Sequence, residues 1–374
     1  MSNSKIIIGL WVYTALIAVT ILNDKLSFFN LIFSVGYVSI CFFYALNVVR
    51  KSREVFYIFC FSIVYLIYVL LSPEFSNSLN SKWGMMNWTL KVMLTFFPAY
   101  YYGKKGVISQ RYLRFASIGF VVVGLISYYL NINLIILSLV YSEEGMTNNV
   151  GYLFVAILPL LFINIKKNII LIILSYIFIL ISLKRGAIIC AIVTIPFFIY
   201  LARKEFHLNR KVIGLGILLV SILLINVVKN VSQSNTYIEK RIEMTMEGNS
   251  SGRDTYAFIV FDTLEKYDFM EIVLGKGINY SMVILDNFAH NDWLEIMLSM
   301  GLVGCFFYLL SFLGMVLYAR KDCFQKYRII GYMIILLIFV RTIISMNYFS
   351  LDSIPFYYTL GIICNRKSNL CVKS

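Results

Sequence analysis

The chain of 374 residues is 60% hydrophobic and 16% aromatic, with a mean hydropathy of +0.80. These values exclude an ordinary soluble domain and favour a protein that crosses a lipid bilayer many times. The formal net charge of +14 does not indicate a nucleic-acid partner, because the lysines and arginines form short clusters between apolar runs, as membrane topology requires.

Apolar runs that could be membrane spans follow one another along the whole chain. A helix needs about 17–25 mostly apolar residues to cross a bilayer, and about twelve segments qualify if short ones are allowed. The predicted spans are 6–22, 28–49, 55–71, 85–102, 115–130, 150–164, 169–183, 187–201, 212–228, 293–319, 329–347 and 353–364. The first lacks a clear small-residue cleavage site, so it is interpreted as a retained span and not as a signal peptide. We therefore predict an all-α polytopic integral membrane protein, with residues 1–374 forming a single transmembrane domain.

Charge alternates between the connections that join these spans. Lysine and arginine clusters occupy every second connection, at 50–53, 104–114, 166–167, 203–211, 320–328 and 366–373. By the positive-inside rule this pattern predicts a multi-pass protein of the cytoplasmic (inner) membrane with both termini in the cytoplasm. The long polar segment 229–289 then forms one large extracytoplasmic loop. The seven cysteines fall in apolar runs or in predicted cytoplasmic segments, so we expect no disulfide framework.

Two basic residues fall inside predicted spans, Lys91 in the fourth and Arg341 in the eleventh, both in the outer half. A charge at the bilayer centre costs about 2.5–3.5 kcal/mol or more, so it normally has a partner or a function. The alternative is that each side chain reaches the outer headgroups. Lys184 and Arg185 also face outward, between spans seven and eight, unless 169–201 is a single re-entrant segment.

The large loop is predicted to be a folded cap on the membrane domain. Within it, residues 256–264 are interpreted as an amphipathic helix and Gly275-Lys276-Gly277 as a backbone turn. No metal site is predicted in the loop or elsewhere. The histidine outside it, His207, lies among cytoplasmic charges with no Cys or Asp at ligand spacing.

The other histidine, His290, stands where the polar segment runs into an apolar helix. Asp286 and Asn287, just upstream, are residue types that cap helices. If the helix begins near His290, its dipole disfavours the imidazolium form. The ring would then stay neutral, as a general base must be.

Three segments of the second half resemble signatures of one family. His290-Asn291, followed about nine residues later by Gly301-Leu302-Val303-Gly304, resembles the H-N-x9-G-x-x-G signature of the O-antigen ligase and polymerase superfamily. Ser182-Leu183-Lys184-Arg185-Gly186-Ala187 resembles its S-x-x-R-G-A segment. Ser251-Gly252-Arg253-Asp254 with Gly275-Lys276-Gly277 resembles its large-loop pattern. The resemblance covers about residues 150–320, and the first half is similar only in hydropathy.

The resemblance implies a GT-C-like helical membrane glycosyltransferase that works at the outer face with neither metal nor other cofactor. Its donor would be an oligosaccharide carried on undecaprenyl pyrophosphate. It implies three catalytic residues: His290 takes the proton of the acceptor hydroxyl, while Arg185 and Arg253 contact the pyrophosphate. Attack on C1 from the opposite side would invert the anomeric centre. Asp292 or Glu295 could orient the imidazole.

Further residues are implied in substrate binding, and some assignments stay open. Lys184 and Arg341 would be outer cations, and Lys91 and Asn291 would complete the binding set. Lys184 stands where relatives often have a small polar residue, so it could share or replace the work of Arg185. Arg241 is the alternative to Arg253 as the loop arginine.

We interpret the chain as a polymerase of O-antigen, capsule or similar surface polysaccharide. Its expected partners are the lipid-linked oligosaccharide, the bilayer and, as a candidate, a chain-length regulator. One alternative is an O-antigen ligase, which would pass the glycan to lipid A core. Another is a flippase for the same lipid-linked glycan, which predicts charges in both halves of the bilayer and an internal repeat; neither pattern is visible.

Overall fold

The computed structural model describes residues 3–22, 30–75, 81–132, 149–182, 184–207, 253–321 and 324–363. Every regular element within these ranges is helical, which confirms the all-α fold. The α-helices are α1 (Asn3–Leu22), α2 (Asn30–Val49), α3 (Arg53–Leu71), α4 (Lys82–Leu94), α5 (Phe96–Lys104), α6 (Gln110–Leu130), α7 (Val150–Phe162), α8 (Ile165–Ile181), α9 (Arg185–Phe206), α10 (Arg253–Glu265), α11 (Phe269–Leu274), α12 (Tyr280–Leu285), α13 (Asp292–Arg320), α14 (Gln325–Ile344) and α15 (Ile354–Ile363). A 3-10 turn, Leu351–Ser353, precedes α15.

Seven of these helices are long and apolar enough to cross a membrane: α1, α2, α3, α6, α9, α13 and α14. They coincide with seven of the predicted spans. Three other predicted spans are shorter helices: α7 and α15, with 13 and 10 residues, are buried throughout, and α8 has 17 residues. Hydropathy cannot separate them from spans, because a helix buried in protein is as apolar as one facing lipid. The predicted span 212–228 lies outside the described residues.

The fourth predicted span, 85–102, is two helices rather than one. α4 ends at Leu94 and α5 begins at Phe96. Pro98 explains the break, since its ring clashes with the carbonyl four residues earlier, that of Leu94, and it has no N–H to donate. The freed backbone groups find side-chain partners. Thr95 Oγ1 donates to the Lys91 carbonyl at 2.5 Å, and Tyr13 Oη donates to the Thr95 carbonyl at 2.6 Å.

Ion pairs gather several helix termini at one end of the bundle, which we call the basic end. Glu54 at the start of α3 pairs with Lys321 after α13 at 2.5 Å. Glu205 near the end of α9 pairs with Lys326 at the start of α14 and accepts a hydrogen bond from the Lys166 backbone N–H of α8 at 3.2 Å. The start of α9, the start of α13 and the end of α14 therefore lie together at the opposite end.

Gly301 interrupts α13 with a non-helical conformation, φ 59° and ψ −155°. Such a kink leaves carbonyls of the preceding turn without their usual helical partners. The predicted turn in the loop supplies new donors: Lys276 N–H binds the Leu298 carbonyl at 2.9 Å, and Gly277 N–H binds the Ser299 carbonyl at 3.0 Å. The backbone turn is thus confirmed, and it closes directly on the kink.

The predicted loop helix is present as α10, but it is not amphipathic. Its exposed face carries Phe258 and Phe261 together with Asp254, Asp262 and Glu265. Acids and aromatic rings therefore share one surface.

Candidate functional site

The start of α13 positions His290. The helix begins at Asp292, and Asn291 is its N-cap: the Asn291 Oδ1 accepts from the backbone N–H groups of Trp293 and Leu294 at 2.9 and 3.2 Å. His290 precedes this cap with a left-handed φ of 52°. The half-buried imidazole is therefore held on a sharp turn rather than within the helix.

The predicted capping role of Asp286 and Asn287 is wrong. Asp286 ends α12 in a left-handed conformation, and the Asn287 Oδ1 accepts from the Phe288 N–H at 2.8 Å. Three further residues separate Asn287 from the real cap, because the chain must turn between α12 and α13.

One ring of α10 contacts the His290 ring, and two cations act on its charge. Tyr256 of α10 stacks on it, with ring centroids 6.2 Å apart and an interplanar angle of 22°. Burial lowers the pKa of His290 to about 4, and the nearby charges of Arg253 and Lys184 act in the same direction. The neutral ring expected from the sequence is therefore favoured, and burial is the largest cause, followed by the two cations.

The C-terminal end of α14 accepts hydrogen bonds from the start of α10 and from the residue that caps α13. The last carbonyls of a helix have no partners within it. Here an Arg253 Nη1–H donates to the Ile344 carbonyl, and the Asn291 side chain donates to the Ile343 carbonyl at 3.0 Å. A cation is also favoured at the negative end of the helix dipole. Arg253 is thus fixed beside His290 by the backbone of another helix.

Arg341 is 1% exposed, so the alternative in which it reaches the headgroups is wrong. Its guanidinium lies over the Tyr152 ring, 4.3 Å from the centroid. Nε donates to the Met346 carbonyl at 3.2 Å, and Nη2 donates to Ser350 Oγ at 2.7 Å and Asp352 Oδ2 at 3.3 Å. The side chain binds the segment that follows α14 and pins it to α7.

Lys184 connects the two parts of the site. It is half-buried immediately before α9, and its charge acts on His290 and on Asp352. Burial raises the pKa of Asp352, while Arg341 and Lys184 oppose the rise. Arg185 follows as the first residue of α9 and is also half-buried.

One other predicted residue, Lys91, lies elsewhere. Lys91 is fully buried in α4, so headgroup contact is wrong for it as well. Its helix packs against the 3-10 turn Leu351–Ser353, next to the segment that Arg341 binds. Arg241 lies outside the described residues, so the structure does not decide between it and Arg253.

Asp292 does not orient the His290 ring as predicted. Its buried carboxylate accepts from Tyr308 Oη at 2.6 Å and from the backbone N–H groups of Asn347 and Tyr348 at 2.9 and 3.3 Å. It therefore fixes the segment after α14 against the start of α13.

Glu295 acts on His290 only through the backbone. Its buried carboxylate accepts from Ser281 Oγ at 2.6 Å and from the Ala289 N–H at 3.1 Å, which holds the residue before His290. The residue that touches the ring is Tyr256, which the sequence reasoning missed. Tyr256 is three residues after Arg253 on a helix, so both lie on one side of it. This spacing could have indicated that Tyr256 belongs to the same site.

The site therefore gathers an uncharged imidazole, the cations Arg253 and Lys184, and a segment fixed by Arg341. Within the described ranges, no group of three or more His, Cys, Asp and Glu side chains is arranged to hold a metal ion. The arrangement suits recognition of an anion beside a proton acceptor. No protein-family model matches the chain, and no curated protein matches it in sequence.

Proposed function

We propose that the chain polymerises lipid-linked oligosaccharide repeat units into a surface polysaccharide at the outer face of the cytoplasmic membrane. The observation that carries this proposal is the grouping of His290 with Arg253 and Lys184 at one end of a bundle of apolar helices. A phosphate-bearing lipid presents its charge at that level, where the hydrocarbon ends. Arginine suits phosphate because its rigid fork matches the oxygen geometry.

The proposed reaction is an inverting glycosyl transfer. The acceptor hydroxyl oxygen attacks C1 of the donor sugar, the C1–O bond to the pyrophosphate breaks, and the bonding pair leaves with the pyrophosphate. His290 takes the hydroxyl proton. Arg253, with Lys184 and Arg185, stabilises the negative charge that grows on the leaving group, and such preorganised charges are often the largest contribution to catalysis.

The membrane arrangement is part of the proposal. The basic end faces the cytoplasm, by the positive-inside rule, and the site then faces outward. About twelve spans, a GT-C-like fold and cytoplasmic termini complete the arrangement. The alternation of lysine and arginine clusters supports this orientation. The ion pairs of Glu54 with Lys321 and of Glu205 with Lys326 support placing these clusters at one end of the bundle.

Deleting the chain from its host tests the function directly. We expect long surface polysaccharide to disappear and lipid-linked single repeat units to accumulate where membrane-impermeant periodate can oxidise them. A plasmid copy should restore the polymer. Single units protected inside the cell would instead indicate a transporter, and long lipid-linked polymer without transfer to lipid A core would indicate a ligase.

We expect Arg253→Lys to lower polymer formation by about 10-fold or more, because lysine is a point charge that cannot make the paired contacts of guanidinium with phosphate oxygens. The measurement is a gel of extracted glycan at equal membrane protein level. Arg203→Lys, at an exposed position near the far end of α9, is the matched control and should leave the polymer unchanged. Normal polymer from Arg253→Lys would show that charge alone is sufficient.

The pH dependence should respond to Lys184. A cation destabilises imidazolium, so removing it in Lys184→Gln raises the pKa of His290 from about 4 toward its ordinary value. Because kcat/KM follows the groups of the free enzyme, its acid limb should move to higher pH. Initial rates at subsaturating donor, from below the His290 pKa of about 4 up to about pH 8, would measure this. Lys167→Gln at the basic end is the control, and an acid limb that does not move would remove Lys184 from the site.

A further inference from the structure

The short helix α11 exposes three large apolar side chains. Phe269, Met270 and Leu274 are 77%, 58% and 42% exposed, although they belong to the cap and not to a candidate span. Contiguous apolar surface of this kind marks an interaction site. The lengths of two neighbouring helices indicate what covers it.

The first of these helices is α13. From Gly301 to Arg320 it is about 30 Å long at 1.5 Å per residue, which is about the thickness of the hydrocarbon core. This part exposes one apolar stripe at intervals of three and four residues, as a lipid-facing helix does. The stripe is Leu302, Phe306, Leu309, Leu313 and Val316. Gly301 therefore lies at the boundary of the hydrocarbon, and α11 packs against it there.

The second helix is α3, and it gives the same level independently. It begins beside Glu54, which pairs with Lys321 at the basic end, and its 19 residues extend about 28 Å. Directly after it, Ser72 Oγ accepts from the Ile278 N–H at 2.9 Å. The lengths of α3 and α13 thus both place the segment from α11 to Ile278 about one membrane thickness from the basic end.

The side chains next to α11 are of the types found at a membrane interface. Lys276 Nζ lies over the rings of Tyr267 and Tyr280, 4.9 and 5.3 Å from their centroids, and pairs with Glu271 at 3.1 Å. Tyrosine and lysine are enriched at this level because each combines an apolar body with a polar tip.

We propose that α11 is inserted into the interface of the bilayer on the side of the site, with Phe269, Met270 and Leu274 in contact with lipid acyl chains. The backbone of α11 packs at Gly301, which is where the exposed apolar stripe of α13 ends. Lipid contact of α11 holds the turn 275–277 against the kink. The acids of α11, Asp268 and Glu271, are bound in the capping box at its start, whereas Asp254 and Glu265 of α10 accompany Phe258 on its exposed face, so α10 is not assigned this role. The inference does not depend on the reaction proposed above.

Site-specific photocrosslinking tests the contact. p-Benzoyl-L-phenylalanine is placed at Phe269 in the full chain, which is reconstituted into phosphatidylethanolamine and phosphatidylglycerol liposomes whose acyl chains carry an alkyne tag. The same residue at Phe306, 60% exposed on α13, is the lipid reference. At Asp262, whose side chain is 51% exposed, it is the aqueous reference. Interfacial side chains reach about 5–10 Å into the headgroup and acyl boundary.

We expect the lipid adduct at Phe269 to approach the yield at Phe306 and to exceed that at Asp262 by about tenfold, as acyl contact at that depth requires. Met270 provides a second test position, and both side chains are mostly exposed, so replacement removes little packing. Yields at both positions equal to that at Asp262 would overturn the proposal. An adduct of twice the protein mass in place of the lipid adduct would assign the surface to a second copy of the chain and overturn it as well.

Discussion

Replacing His290 with glutamine is expected to abolish long polymer while the protein remains in the membrane at its normal level. The proposed reaction has one proton acceptor, and losing a general base costs typically 10²–10⁴-fold in rate. Lipid-linked single repeat units should accumulate at the outer face, because their delivery does not depend on this residue. A faint ladder is compatible with the lower end of the range, and a full ladder is not.

The geometry explains why the protein should survive this change. His290 is half-buried on a turn before the helix, and the Asn291 cap, not the imidazole, begins α13. The ring contact with Tyr256, with centroids 6.2 Å apart, is loose, so its removal costs little. The fold of the turn is held instead by Glu295 through the Ala289 N–H.

The chain offers a matched control in its other histidine. His207 also has a left-handed conformation, φ 53°, but it ends α9 at the basic end and is exposed. His207→Gln should leave polymer length and yield unchanged. The measurement is a gel of extracted glycan beside a membrane immunoblot for both variants. Full-length polymer from His290→Gln at equal protein level would remove the residue from the reaction.

The sequence named residues for the candidate site but not the contacts that hold them. Arg253, Lys184 and His290 are distant in the chain, and in the fold the charges of Arg253 and Lys184 act on His290. Their joint role in a reaction stays a prediction, which rests on the resemblance of the motifs. The supports, Asp292 on the segment after α14 and Tyr256 on the ring, depend on packing between segments, which spacing along one chain does not report.

Hydropathy predicted the apolar helices but not what surrounds each of them. The long helices expose apolar side chains on one face and were found, whereas α7 and α15 are buried throughout and looked the same by hydropathy. The break between α4 and α5 had a visible cause in Pro98. The kink in α13 had a weaker signal in the sequence, because glycine in an apolar run is also common in straight transmembrane helices. The kink forms at Gly301 because the turn 275–277 donates hydrogen bonds to the carbonyls that the kink leaves without helical partners.

Gly301→Ala is therefore the sharpest test of the fold around the site, and we expect it to destabilise the protein and reduce polymer together. The Gly301 backbone, with φ 59° and ψ −155°, lies in a region that is essentially confined to glycine, and it costs a residue with a Cβ on the order of 1–3 kcal/mol. The Cβ would also lie 2.5 Å from the carbonyl oxygens of Ile272 and Val273, which are backbone atoms of α11 and cannot rotate away. α11 must move, the hydrogen bonds of the turn to Leu298 and Ser299 weaken, and the first part of α13, which begins directly after His290 and its neighbour Asn291, loses that support.

Gly119→Ala is the matched control for this substitution. Gly119 lies in α6, and a Cβ there meets no atom within 4 Å, so the change should be neutral or stabilise the helix by about 0.5–1 kcal/mol. Thermal unfolding in detergent, with the glycan gel on the same preparations, compares the two. We expect a lower Tm and shortened or absent polymer from Gly301→Ala only. An unchanged Tm with full polymer would mean that α13 can be straight at this point, and the kink would then have no part in placing His290.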